Sequence, residues 1–209
     1  MEIIHLGHAS FKIKGKTTSL LTDPFSPSMT GLKFPKVEAD IVTISHNHED
    51  HNQASLVGGN PQVFSGPGEY ETKGVKILGV ATFHDSSAGS ERGKNTVYQI
   101  KMDGLTLIHL GDLGHPLTAE EVEALNGVDI LMVPVGGIYT LDGKGAAQVV
   151  AQLEPKIVIP MHYGAPGLRF NLDSVDKFLK EMGKEMVTPQ PKLVISKDKL
   201  PEEMGIVIL

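Results

Sequence analysis

Ser45-His46-Asn47-His48-Glu49-Asp50-His51 places three histidines and an aspartate in the pattern H-x-H-x-D-H. The stretch directly follows Asp40-Ile41-Val42-Thr43-Ile44, a short apolar run that reads as a buried strand. Neutral imidazole and carboxylate are ligands for zinc and other first-row metals. In extended backbone, residues two apart point to one side, so His46 and His48 are expected to reach one ion. Asp50 and His51 come after the chain begins to turn and are expected to face a second ion beside it. The competing reading is a polar loop that is merely rich in histidine. Ligand spacing, and more ligands at matching places elsewhere, weigh against it.

The chain around this stretch is 209 residues long and 40% apolar, enough for one sizeable α/β core over residues 1–209. Net charge is −6 and no basic block occurs, so polymeric nucleic acid is not an expected partner. With no cysteine there is no disulfide framework, thiolate metal site or cysteine nucleophile. Met1 to His8 has neither a basic n-region nor a long apolar core, and no apolar run approaches the ~20 residues of a membrane span. A cytoplasmic protein without a membrane partner is the expectation.

Short β-type runs open the chain at Glu2–Leu6, Ser10–Ile13 and Thr17–Thr22, the last ending in Asp23-Pro24-Phe25. A loop over Ser26–Val37 precedes the histidine stretch, and a plain connection is preferred over a substrate-covering loop. Further strands are read at Gln62–Ser65, Glu69–Thr72, Val75–Phe83, Thr96–Lys101, Leu105–Leu110, Val128–Val133 and Lys156–Met161. Thr118-x-x-Glu121 fits a capping box, so a helix is expected to run to about Leu125. Gly145–Leu153 reads as a second helix. Leu172, Val175, Phe178, Leu179 and Met182 recur at helical spacing and predict a third. Lys192–Ser196 and Gly205–Leu209 are expected to close the sheets.

A second pattern emerges from this order. Asp23, His46, His84, Asp112 and His162 each sit just after an apolar strand. In layered α/β folds, ligands gather at the sheet edge where strands end in loops. Each residue alone is a weak signal; together with the histidine stretch they predict a metal site.

These residues resemble the successive signatures of the metallo-β-lactamase superfamily. Gly7-His8-Ala9-Ser10, Asp23-Pro24-Phe25, His84-Asp85-Ser86-Ser87, His109-Leu110-Gly111-Asp112 and Pro160-Met161-His162-Tyr163 resemble its small metal-dependent hydrolases related to ascorbate-6-phosphate lactonase. The resemblance implies a four-layer αβ/βα sandwich: two mixed sheets face to face, helices outside, metals at one edge. By motif position it implies that His46, His48 and His84 hold a first metal and that Asp50, His51 and His162 hold a second. Asp112 would bridge them. His109 is the alternative to His84, less favoured because Asp112 already occupies its strand end. The ions implied are two divalent metals, zinc first, with Mn2+ or Fe2+ as alternatives. Asp23 is expected to orient the cluster by hydrogen bonds. Two details depart from the branch: Asp85 where serine is usual after the histidine, and Leu113 where threonine is usual after the aspartate.

The implied activity is hydrolysis of an ester, lactone or similar small-molecule bond by a hydroxide bridging the ions, with Asp50 and Asp112 as proton acceptors. His8 is read either as a proton donor to the leaving group or as a structural residue bonded to backbone. Tyr139, Tyr163 and Arg169 are weaker substrate-contact candidates. Alternatives are a phosphodiesterase or nuclease on the same site, di-iron redox chemistry, and a non-catalytic metal-binding module. The partner expected is a small-molecule substrate, and lactonase-like relatives suggest a homo-oligomer. The irregular segments Ser26–Val37, Ser86–Lys94 and Gly136–Gly143 are expected to decide what is attacked.

Overall fold

A computed structural model describes all residues, 1–209. In chain order it contains β1 (Glu2–Gly7), β2 (Ser10–Lys14), β3 (Ser19–Thr22), α1 (Pro27–Thr30), β4 (Val37–Glu38), β5 (Ile41–Ile44), β6 (Val57–Gly58), β7 (Gln62–Ser65), β8 (Gly68–Thr72) and β9 (Val75–Phe83). There follow β10 (Lys94–Met102), β11 (Leu105–His109), α2 (Ala119–Ala124), β12 (Ile130–Pro134), α3 (Gly143–Leu153), β13 (Ile157–Met161), α4 (Val175–Glu181), β14 (Leu193–Val194) and β15 (Gly205–Ile206). One mixed sheet runs β14-β1-β2-β3-β5-β7 and the other β15-β13-β12-β11-β10-β9-β8.

Period-2 patterning explains why two sheets stack. In β12, Ile130 and Met132 face the core between the sheets, while Leu131 and Val133 face outward. The same alternation sends Ile157, Ile159 and Met161 of β13 inward and Val158 outward. From the first sheet, Ile3, Phe11, Ile13, Leu20 and Ile41 fill the same inner layer. Residues buried on both faces have no polar side, which is why these strands read as continuous apolar runs. The outward face of the second sheet is covered by apolar positions of α3 and α4, among them Ala146, Val149, Val150, Phe178 and Leu179. Tyr98, fully buried, joins the two sheets by donating its hydroxyl to Ile44 O at 2.9 Å.

The outer face of the first sheet differs from the expected helical layer. Leu21, Val42 and Ile44 there are covered by Ala39, Val57, Phe34, Val37 and Ala54, from loops and from a two-stranded sheet of β4 and β6. The loop expected over Ser26–Val37 holds α1, started by Ser26, whose side chain accepts from Met29 N, and by Pro27 in the first turn. Helix boundaries also shift. α3 starts two residues earlier than expected, at Gly143, because Asp142 caps it by accepting from Gly145 N. α4 starts at Val175, so Leu172 lies outside it despite its spacing. α2 carries the expected capping box between Thr118 and Glu121. The tail strands shrink to Leu193–Val194 and Gly205–Ile206. No helix is long and apolar enough to cross a membrane.

Strand directions bring the strand-end residues to one edge. β1 and β3 are each antiparallel to β2, and β3 is parallel to β5. β9 and β11 are each antiparallel to β10, and β11, β12 and β13 run parallel. Asp40, at the opposite end of β5, anchors this arrangement. Its carboxylate accepts from Ser19 N and Oγ, both at 2.9 Å, and from Lys73 Nζ at 2.6 Å. The Lys73 ammonium, with Ser19, holds the Asp40 carboxyl down at about 2. A depressed folded-state value means stabilisation that is present above the unfolded value of ~3.9 and lost as pH falls toward 2. Acid titration of the unfolding free energy is therefore expected to show a slope between pH 4 and 2 that is shallower in Asp40→Asn. An identical slope in the variant would remove the assignment.

Candidate metal centre

Sharp reversals at the strand ends aim the side chains inward. His8, Asp23 and His162 adopt left-handed backbone, with φ of 55°, 40° and 53°. Asp and His tolerate this region better than most residues, and such conformations gather at functional sites. The stretch after β5 is a succession of bends and turns rather than extended chain. The rings of His46 and His48 still lie close, with centroids 4.5 Å apart.

Three groups of donor atoms result, of which Asp23, His46 and His51 form one that links the other two. His46, His48 and His84 form the second; His8, Asp50, His51 and His162 form the third, with ligand atoms in each group within 4.8 Å of one another. Asp112 stands between the second and the third. Its Oδ2 lies 3.2 Å from His84 Nε2, 3.2 Å from His162 Nε2, 3.3 Å from His51 Nε2 and 4.0 Å from His46 Nε2. All seven residues predicted as ligands therefore meet at one edge. His109 does not join them, since its Nε2 faces Ala9 O at 2.8 Å and its Nδ1 accepts from Gly111 N.

Hydrogen bonds behind the cluster set two tautomers. Asp23 Oδ1 accepts from Ser45 N at 2.8 Å, and Oδ2 accepts from Ser45 Oγ at 2.5 Å. His51 Nδ1 also meets Asp23 Oδ2, at 2.9 Å, so Nδ1 carries the proton there and Nε2 is left toward the site. Ser45 Oγ has one proton, given to Asp23, so at 2.9 Å it can only accept from His46 Nδ1. His46 Nε2 is thereby left bare as well. Asp23 performs the orienting role expected of it; Ser45, its partner, was not singled out from the sequence.

Burial lowers the His46 imidazole to about 3, with the neighbouring His51 ring adding to the effect, so it is neutral, the form that binds metal. Burial alone would raise the Asp112 carboxyl, but the imidazoles of His162 and His51 outweigh it and hold it well below the carboxylate range. His46 Nε2, His51 Nε2 and Asp112 Oδ1 are buried without a hydrogen-bond partner. Such atoms cost about 1–3 kcal/mol each when left unsatisfied. Unpartnered donor atoms gathered in one buried cluster fit a cation, and nitrogen and oxygen donors without sulfur fit zinc, manganese or iron.

His8 is buried, its Nε2 donates toward Asp50 Oδ2 at 3.1 Å, and it does not line the cavity above the cluster. Its hydrogen-bond partner Asp50 and the neighbouring His162 both line that cavity. The cavity measures about 470 Å³ and is lined by Met29, Arg92, Tyr139 and Phe170 together with the cluster. Met29, Arg92 and Tyr139 come from the three irregular segments expected to shape it. Arg169 instead donates its guanidinium to Ser28 O, and Tyr163 lies beside His5 with ring centroids 6.5 Å apart.

Asp85, one of the two residues that depart from the branch pattern, folds the loop after His84. Its carboxylate accepts from the backbone N–H groups of Ser87, Gly89, Glu91 and Arg92 at 2.8–3.1 Å. Burial acts upward on this carboxyl, but the four donors outweigh it and hold it at about 2. Asn95 was also missed. Its Oδ1 accepts from Asp112 N at 3.0 Å while its Nδ2 donates to Leu110 O and Thr82 Oγ1.

Comparison with known proteins agrees with this geometry. The family model for the β-lactamase superfamily domain matches residues 2–162. A UPF0173 metal-dependent hydrolase of Thermococcus onnurineus is 32% identical, over 78% of this chain and 84% of the relative. A metal-dependent hydrolase of Lawsonia intracellularis is 33% identical, over 88% of this chain and 92% of the relative. A Thermotoga maritima crystal structure, assigned as a Zn-dependent hydrolase of the metallo-β-lactamase superfamily, superposes with a TM-score of 0.82. It is 40% identical and covers 99% of this chain and 97% of its own. With its sheets, its strand-end donors and these relatives in agreement, the chain belongs to the metallo-β-lactamase superfamily, among its small metal-dependent hydrolases.

Proposed function

We propose that the protein hydrolyses an ester, lactone or similar bond of a small molecule at two divalent ions, zinc first. The observation that carries this reading is the position of Asp112 Oδ2, within 3.3 Å of three imidazole Nε2 atoms drawn from both of the donor groups it stands between. When bound, a pair of such ions supplies an acidified water and Lewis acidity toward the attacked oxygen. His46, His48 and His84 would hold one ion and Asp50, His51 and His162 the other, with Asp112 shared. The Zn-dependent assignment of the Thermotoga maritima relative supports zinc.

The chain's own residues do the rest. Asp23 and Ser45 fix the rings of His51 and His46, so no reorganisation is needed as charge develops. Asp50 and Asp112 are the acceptors for the proton of the incoming water. His8 is a positioning residue that orients Asp50 through its Nε2–H. Met29, Tyr139 and Phe170 give the cavity an apolar wall. A cavity of about 470 Å³ is of the size that takes a small molecule.

Dialysis against a chelator tests the proposal. Metal-free protein is expected to lose hydrolysis of a lactone, a thioester and bis(4-nitrophenyl) phosphate, and zinc, manganese or iron to restore it. Undiminished turnover in metal-free protein would falsify it. Recovery confined to the phosphodiester would replace carbonyl chemistry by phosphoryl chemistry at the same centre.

A further inference from the structure

We propose that the substrate carries a terminal oxyanion, a carboxylate or phosphate, anchored by Arg92 at the rim of the cavity, with its apolar body against Tyr139, Phe170 and Met29. The inference rests on the hydrolase reading for the reacting end of that molecule and on the cavity walls for the other end.

Arg92 is the single lysine or arginine among the eleven residues lining the cavity. Its guanidinium carbon lies 5.4 Å from the centroid of the Tyr139 ring. Stacking on an aromatic face fixes the plane of the guanidinium, whose fork of donors matches a carboxylate or phosphate. The protein makes little claim on that fork: its one carboxylate contact is Glu91 Oε2, at 3.5 Å. Its side chain is 32% exposed, open to a ligand yet partly desolvated.

Each wall is held in place. Asp85 grips the Arg92 backbone N–H at 2.8 Å and so ties the anchor to the strand end that carries His84. Tyr139 follows Ile138, a β-branched residue at φ 59°, where such residues are rarely found. The turn is kept by Thr140 N donating to Gly137 O and Leu141 N donating to Leu113 O. A strained turn that the surroundings over-determine, ending in a 40% exposed tyrosine, suits a ligand contact. Phe170 meets Tyr139 edge-on at 6.3 Å. Arg169 N donates to Thr30 O at 2.8 Å and fastens the Phe170 loop to α1, which carries Met29. The result is an aromatic channel with the donor cluster at its floor and one cation at its rim. A molecule that fits it presents a reactive bond downward and an anion outward.

Calorimetry on metal-loaded protein tests this with 4-phenylbutyrate, 3-phenylpropylphosphonate and the neutral isostere 4-phenylbutanamide. At least one anion is expected to bind about tenfold or more tightly than the amide, the size of a charge-assisted hydrogen bond. That ratio is expected to fall toward 1 in Arg92→Gln and to be kept in part by Arg92→Lys. The anion with the larger ratio identifies the substrate group as carboxylate or phosphate. Equal affinity for anions and amide overturns the proposal. So does an anion preference that survives Arg92→Gln in protein of unchanged metal content, because the anion then sits on the ions. Binding is read without turnover. Failure of the hydrolase reading appears as inactivity in the substrate panel, and failure of the anchor as a lost or misplaced ratio.

Discussion

Asp112→Ala is expected to remove bound metal and hydrolysis together, with metal affinity falling by more than the ~10–100-fold typical of losing an outer hydrogen-bond partner. The reason is position. Asp112 Oδ2 faces the Nε2 atoms of His51, His84 and His162, so no other side chain can stand in for it. Asp112→Ala has a cost in the metal-free protein too. The carboxylate is 2% exposed, yet its proton affinity is depressed, so the attraction of the imidazoles outweighs the cost of burying it. Its removal leaves buried imidazoles without their counter-charge. Asp112→Asn separates shape from charge: it keeps the volume and the backbone bond to Asn95 but not the counter-charge, and is expected to lose less stability than Asp112→Ala while binding metal poorly. Metal-to-protein ratios and melting temperatures with and without chelator check both variants. Full metal content and parental turnover in Asp112→Ala would sink the bridging assignment.

The residues that converge on Asp112 were legible in the sequence because each carries its chemistry in its type and its position in its place after an apolar run. Continuous apolar runs made the strands readable, and strand direction did the rest. What escaped has physical causes. The cover over Leu21 and Val42 comes from two-residue strands and loops, too short to show any periodicity. Ser45 and Asn95 look like ordinary polar residues at strand ends; only the packed structure reveals that one sets a histidine tautomer and the other holds the Asp112 backbone. A clue to Ser45 lay in its place beside His46. Arg169 was named among the substrate-contact candidates and Arg92 was not. The choice depended on the path of an irregular loop, and that path is set by four backbone bonds to Asp85, which spacing does not reveal. Leu172 matched the helical stripe, but α4 begins beyond it, after Ser174 in extended backbone, showing that periodicity marks a helix better than its ends.

Gly111→Ala is expected to destabilise the protein by about 2–5 kcal/mol, from left-handed backbone and overpacking combined. Gly111 has φ 57°, and a Cβ there would lie 2.4 Å from Asn95 Oδ1 and 2.6 Å from Ser45 Cβ. Neither neighbour is free to retreat. Asn95 is held by Thr82, Leu110 and Asp112, and Ser45 by Asp23 and His46. Displacing them moves the backbone of Asp112 and the proton that fixes the His46 ring, so the loss of stability and the loss of metal have one cause. Against a total stability of roughly 5–15 kcal/mol, the variant is expected to be soluble but to unfold at markedly lower denaturant and to bind metal weakly. A double-mutant cycle with Asn95→Ala tests the cause. Removing the colliding amide relieves part of the clash, so the two losses are expected to be less than additive. Strict additivity would place the strain elsewhere, and a Gly111→Ala protein with parental unfolding midpoint and metal content would show that the packing around this strand end does not hold Asp112.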